Sequence, residues 1–162
     1  LGHITQAYAE AKQLLIYRRG QRRPRSLIEA AALGLVVIAD SPQADLLAAL
    51  RRVWPVLAPA RIVGHSDVAP ARKDDPGELF PWHRLAKLRL ALPRPTKNLM
   101  DPHWSDAGFL LALERFGYDI ADGPAAVRAF QRRFRPELMD GIVDGECRAI
   151  LLALLLPKPM GD

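Results

Sequence analysis

Apolar residues recur along this chain at two different spacings, and the changes of spacing mark out its elements. In residues 5–17, Tyr8, Ala11, Leu14 and Leu15 share one face of a predicted helix. Ser26, with Glu29 three residues on, forms a capping box that opens a short helix ending near Gly34. Leu35–Ala39 is a β-branched run bounded by Gly34 and by Asp40-Ser41-Pro42, and it predicts a buried strand. Ser41 as N-cap and Pro42 at the first helical position start a helix through about Val53, with Leu46, Leu47, Leu50 and Val53 as its stripe. Pro55 and Pro59 end it, and Arg61–Gly64 predicts a second short strand with His65 at its exit. From Ser66 to Phe80 the chain is polar, carries Pro70, Pro76 and Gly77, and reads as a long irregular loop. Loops of that length are characteristically functional or disordered. Pro81–Leu90 predicts a short helix.

Pro93, Pro95 and Pro102 make residues 93–102 a linker. Beyond it the period is helical throughout. Ser105 caps a helix with Phe109, Leu113 and Phe116 on one face and Gly117 as its stop. A second helix from Pro124 carries Val127, Phe130 and Phe134 and ends before Pro136. Asp144 caps a third, with Cys147, Ile150, Leu151 and Leu154 facing inward. The chain therefore divides into residues 1–40, 41–92, the linker 93–102 and a helical unit 103–162. The fold class is α/β, with a partial sheet and flanking helices, followed by a small all-α three-helix module.

Composition narrows the function classes. The 162 residues make one ordinary domain or two small ones, and 49% hydrophobic with 25% charged residues is the balance of a globular chain. A single cysteine, Cys147, excludes an internal disulfide framework and a multi-cysteine zinc cluster. The net charge of +5 is concentrated in Arg18, Arg19, Arg22, Arg23 and Arg25, without which the chain is balanced. No aromatic residue interleaves these arginines, so the run reads as a solvated loop and no nucleic-acid partner is expected. No apolar run approaches the roughly 20 residues needed to cross a bilayer, and the first residues lack the basic-then-apolar order of a signal peptide.

The chemistry concentrates in the polar loop. His65 leaves a strand, and Asp75 follows ten positions later, after enough chain to fold back. Lys73 lies two residues before Asp75, so in an extended segment the two address one site while Asp74 faces outward. Imidazole with carboxylate suits Zn²⁺, and a hydrolytic zinc takes three protein ligands and one water position. The metal would polarise a scissile carbonyl and acidify its water, and a lysine ammonium beside it would stabilise an oxyanion. Taken as residue types alone, a histidine, a lysine and an aspartate in a polar loop equally suit an ordinary solvated surface.

Gly64-His65-Ser66-Asp67, Ala69-Pro70, Arg72-Lys73, Asp75-Pro76-Gly77 and Leu79-Phe80-Pro81-Trp82 together resemble the metal-binding segment of zinc-dependent N-acetylmuramoyl-L-alanine amidases of the AmpD and AmiD type. The match runs over about nineteen consecutive positions. It implies that His65 and Asp75 bind zinc, that Lys73 assists catalysis, and that Phe80-Pro81-Trp82 packs the loop's return. Residues 41–92 would then be the C-terminal part of an amidase domain with a partial amidase-like sheet. Phe116-Gly117-Tyr118-Asp119, Val127, Phe130-Gln131, Phe134, Asp140-Gly141 and Asp144 resemble the helical peptidoglycan-binding module of the AmiD-like branch.

The family's third zinc ligand is a histidine on an early strand, and its general base a glutamate on a later one. Upstream of His65, His3 and Glu29 offer those residue types, but His3 is too close in sequence to His65 for the family's sheet and Glu29 already sits in a capping box. Residues 1–40 are unlike the amidase scaffold, so the N-terminus is expected to be truncated or altered, and the chain as written to bind zinc weakly without turning over muropeptides. The implied activity is hydrolysis of the amide between N-acetylmuramic acid and L-alanine of peptidoglycan, the partners peptidoglycan or muropeptides, the state a monomer. The alternative is a non-catalytic peptidoglycan-binding protein with a vestigial metal loop. An upstream signal would place the protein in the bacterial cell envelope, periplasmic or outer-membrane associated; without one it is cytoplasmic.

Overall fold

A computed structural model describes residues 36–38, 58–97 and 99–156. The predicted helices in residues 5–17, 26–34 and 41–53, together with His3, Glu29 and the arginine run, lie outside the described residues.

The two predicted strands form and pair. β1 (Val36–Ile38) runs parallel to β2 (Ile62–Gly64), with Val36 opposite Ile62, Val37 opposite Val63 and Ile38 opposite Gly64. Parallel pairing sends both strands out at the same edge of the sheet, the edge where open α/β sheets bind ligands. A single 3₁₀ turn, Pro59–Arg61, leads into β2, whose Ile62 is fully buried.

β2 does not run straight into an irregular loop, as its polar composition suggests. His65–Val68 forms a one-turn helix, α1, with Ala69 N–H donating to His65 O at 3.0 Å. Four residues carry no hydrophobic period, so the turn is invisible to pattern reading. It is held instead by Asp67, whose carboxylate reaches back to accept the Gly64 N–H at 2.7 Å, as an acidic residue at the third helical position does.

α2 (Trp82–Lys87) is shorter than predicted, and buries Trp82 and Leu85 one turn apart. Residues 93–97 and 99–104 have no regular structure but are tied down on both sides of residue 98. Arg94 donates to Glu137 at 2.6 and 2.7 Å, and Arg148 makes two 2.8 Å bonds to Asp101.

The last three helices are α3 (Asp106–Phe116), α4 (Gly123–Phe134) and α5 (Gly145–Leu155). Each begins at a side-chain cap: Ser105 accepts from Gly108 N–H, Asp122 from Ala125 N–H and Asp144 from Cys147 N–H. Gly117 ends α3 at φ 126°, a left-handed conformation that favours glycine. Phe109, Leu113, Val127, Phe130, Phe134, Cys147, Ile150 and Leu151 make one core, joined by Tyr118 from the turn after α3. Phe109 meets Phe130 edge-on with ring centroids 5.8 Å apart, the arrangement that aromatic quadrupoles prefer. No helix among the described residues is long and apolar enough to cross a membrane.

Candidate functional site

The site is built where the chain leaves β2 and where it returns. His65 is the first residue of α1, directly after the strand's last residue. The chain turns at Ala69–Arg72, with Arg72 and Lys73 N–H groups both donating to Ala69 O. It then doubles back so that Ser66 N–H donates to Asp75 O at 2.8 Å. That backbone bond aligns the two arms, and the side chains meet beside it: His65 Nδ1 lies 2.9 Å from Asp75 Oδ2. His65 is 20% and Asp75 38% exposed at the side chain, so the pair is sheltered yet reachable from solvent.

Of the three site residues expected from sequence, His65 and Asp75 are brought together. Lys73 sits on the return arm with an exposed side chain that makes no ion pair among the described residues. It follows a turn and is not in an extended strand. Asp74 points elsewhere, accepting from Arg132 of α4 at 2.7 Å. The two adjacent aspartates thus diverge, one toward the histidine and one toward the helical unit.

Pro76, Gly64 and Trp82 close the base of the site. A Cβ on Gly64 would stand 2.9 Å from Pro76 Cδ and 3.4 Å from Trp82 Cζ2, so this close approach requires glycine. Phe80 and Trp82 pack with ring centroids 4.6 Å apart, which returns the loop onto the body of the fold.

One member of the motif has a role its sequence did not disclose. Asp67 is 5% exposed and accepts from three directions: Gly64 N–H, Arg133 Nη1 at 2.7 Å and the Tyr118 hydroxyl at 2.5 Å. Arg133 donates its other terminal nitrogen to Ile62 O at 2.9 Å and lays its guanidinium 3.8 Å from the Trp82 ring centroid. Both partners come from the helical unit, which is therefore joined to the site by a buried ion pair. In the sequence Arg133 is one of three arginines in GPAAVRAFQRRF, and nothing in that pattern singles it out.

The donor chemistry of the His65–Asp75 pair suits a divalent metal, a neutral imidazole nitrogen and a carboxylate oxygen being usual zinc ligands. Two donors 2.9 Å apart can face one ion. Among the described residues no group of three or more His, Cys, Asp or Glu could hold a metal ion, and a hydrolytic zinc takes three protein ligands. His3, the sequence's candidate for the third, and Glu29, its candidate base, lie outside the described residues.

No family model matches the chain. It is 37% identical to N-acetylmuramoyl-L-alanine amidase AmiD of Escherichia coli over 113 residues, 61% of this chain and 41% of that protein. It is 42% identical over 40 residues to 1,6-anhydro-N-acetylmuramyl-L-alanine amidase AmpD of Haemophilus influenzae, 25% of this chain and 22% of the relative. The structure superposes on AmiD from E. coli, solved with the substrate anhydro-N-acetylmuramic acid-L-Ala-D-γ-Glu-L-Lys, with a TM-score of 0.61 and 32% identity over 69% of this chain and 49% of that one. AmpDh3 from Pseudomonas aeruginosa matches with a TM-score of 0.58 and 29% identity, covering 74% of this chain and 55% of that one. The chain spans less than half the length of the curated relatives it matches. By sequence and by fold alike, the part of these proteins that the chain spans is similar to N-acetylmuramoyl-L-alanine amidases of the AmpD/AmiD type.

Proposed function

We propose that the His65–Asp75 site serves zinc-dependent hydrolysis of the N-acetylmuramoyl–L-alanine amide of peptidoglycan fragments. The observation that carries this is the 2.9 Å approach of His65 Nδ1 to Asp75 Oδ2 at the carboxyl end of a parallel strand, on the residues that resemble the family's metal segment. His65 and Asp75 would hold the metal, which when bound polarises the scissile carbonyl and acidifies a water. Lys73, an exposed ammonium on the return arm, would donate to the oxyanion as the amide carbon becomes tetrahedral. The relative AmiD was solved with an anhydromuropeptide, and a muropeptide is the substrate class this reading assigns to the present chain, acting as a monomer. We assign residues 103–162 the role of a peptidoglycan-binding unit.

A second reading has its own observation. The described residues offer two metal donors and not three, which fits a peptidoglycan-binding protein that has lost turnover. The experiment is to incubate the 162-residue chain with a muropeptide and Zn²⁺ and to follow release of the free peptide amine. Zinc-dependent release, abolished by His65→Ala and by Asp75→Ala but not by Asp74→Ala, is the outcome expected of an amidase. Loss on His3→Ala or Glu29→Gln as well would identify the third ligand or the base. Muropeptide retention without release would give the chain to the second reading, and neither binding nor release would end both.

A further inference from the structure

His65 is pinned on both sides by backbone bonds. The residue before it, Gly64, donates its N–H to Asp67 Oδ2 at 2.7 Å, and the residue after it, Ser66, donates to Asp75 O at 2.8 Å. The first of these bonds is only as fixed as the Asp67 carboxylate. That carboxylate is held from the far side by Arg133 Nη1 at 2.7 Å and by the Tyr118 hydroxyl at 2.5 Å. Arg133 also spans to Ile62 O at 2.9 Å, so one guanidinium grips both the start of β2 and the turn that follows it. A planar fork with donors at fixed separation can do this where a lysine ammonium cannot. Its neighbour Arg132 grips the returning arm at Asp74, one residue before Asp75.

We propose that Arg133 and Tyr118 are positioning residues for the His65–Asp75 pair, acting through Asp67, so that the helical unit is a working part of the site. Neither residue is bonded to His65 or Asp75; they fix the backbone from which His65 projects. The metal consequence rests on the zinc reading of this pair, whereas the positioning itself is a property of the metal-free chain. Groups that orient a metal ligand are commonly worth about 10–100-fold in metal affinity.

The test uses the full chain and two variants, Tyr118→Phe, which removes one hydroxyl, and Arg133→Lys, which keeps the charge. Amide hydrogen exchange is read without metal, and Zn²⁺ affinity by competition with a chromophoric chelator. Gly64 and Ser66 amides should exchange about tenfold faster in both variants while core amides of Phe130 and Ile150 stay protected, and Zn²⁺ should bind about 10–100-fold more weakly. Arg148→Gln, which cuts the distant tie to Asp101, serves as control and should leave Gly64, Ser66 and Zn²⁺ affinity unchanged. Undisturbed Gly64 and Ser66 exchange in Tyr118→Phe overturns the proposal, as does loss of protection spread evenly through α3, α4 and α5. A wild-type chain that binds no zinc, but whose Ser66 amide is released in both variants, ends the zinc reading and leaves the positioning intact.

Discussion

Lys73, Asp74 and Asp75 are consecutive, yet their surroundings give them three different expected roles. Asp75 faces His65, Asp74 faces Arg132, and Lys73 is exposed and makes no ion pair among the described residues. A charged ammonium has no lone pair for a metal, so Lys73→Ala should keep its zinc. It should lose about 10²–10³ in kcat, the usual cost of one oxyanion donor, as steady-state kinetics alongside a zinc determination would show. Asp101 illustrates a charge with a structural task. The hydrogen-bonded Arg148 guanidinium holds its carboxyl well below the usual carboxylate range, helped by the His103 N–H and opposed by burial. A depressed folded value means this tie stabilises the fold above the unfolded carboxylate's pKa of about 4 and is lost as pH falls toward the folded value. Melting curves of the wild type and Asp101→Asn should therefore differ at about pH 5 and converge in stronger acid, since both then lack the charge. Burial pushes the Cys147 thiol up, in keeping with its place in the helical core and not in any site.

At the scale of elements, the long helices were legible and the short turn was not. α3, α4 and α5 each show a cap and an apolar stripe within a dozen residues, because both signals arise from neighbours three or four apart. Boundaries moved slightly: α4 starts at Gly123 with Asp122 as its cap, one residue before the expected Pro124. α1 escaped because its stability comes from Asp67 and from the helical unit, not from its own four residues. The packing of this turn also makes a prediction. With Pro76 Cδ only 2.9 Å from where a Cβ would lie, Gly64→Ala must push Pro76 away from the strand end. Overpacking of this kind costs about 1–3 kcal/mol. Chemical denaturation should show a loss in that range, and zinc affinity should fall with it because Pro76 is bonded to Asp75.

For the whole molecule, the proline-rich segment suggests two separable parts, whereas the contacts across it are unequal. The helical core lies within residues 104–155. Excised as residues 103–162, it should therefore fold, measurable as cooperative helical melting, and it should sediment with purified sacculi if its binding role is correct. Residues 1–102 should fare worse, because Asp67 would lose Arg133 and Tyr118 together. Dispersed NMR spectra from the first fragment and collapsed ones from the second are the expected pair of results; a stable 1–102 fragment would show that the ion pair is dispensable to the fold. The sequence alone determined the strands β1 and β2, the helices α3, α4 and α5, the caps Ser105 and Asp144, and which loop resembles an amidase metal segment. All of these follow from interactions within a few residues or from residue types in fixed order. The tertiary structure alone decided that His65 and Asp75 close to 2.9 Å, and that Asp67, carried as an unassigned letter of the motif, is held by residues 51 and 66 positions away. Such partners are chosen by which charges the fold buries together, since a carboxylate taken out of water must find its cation wherever the chain has brought one.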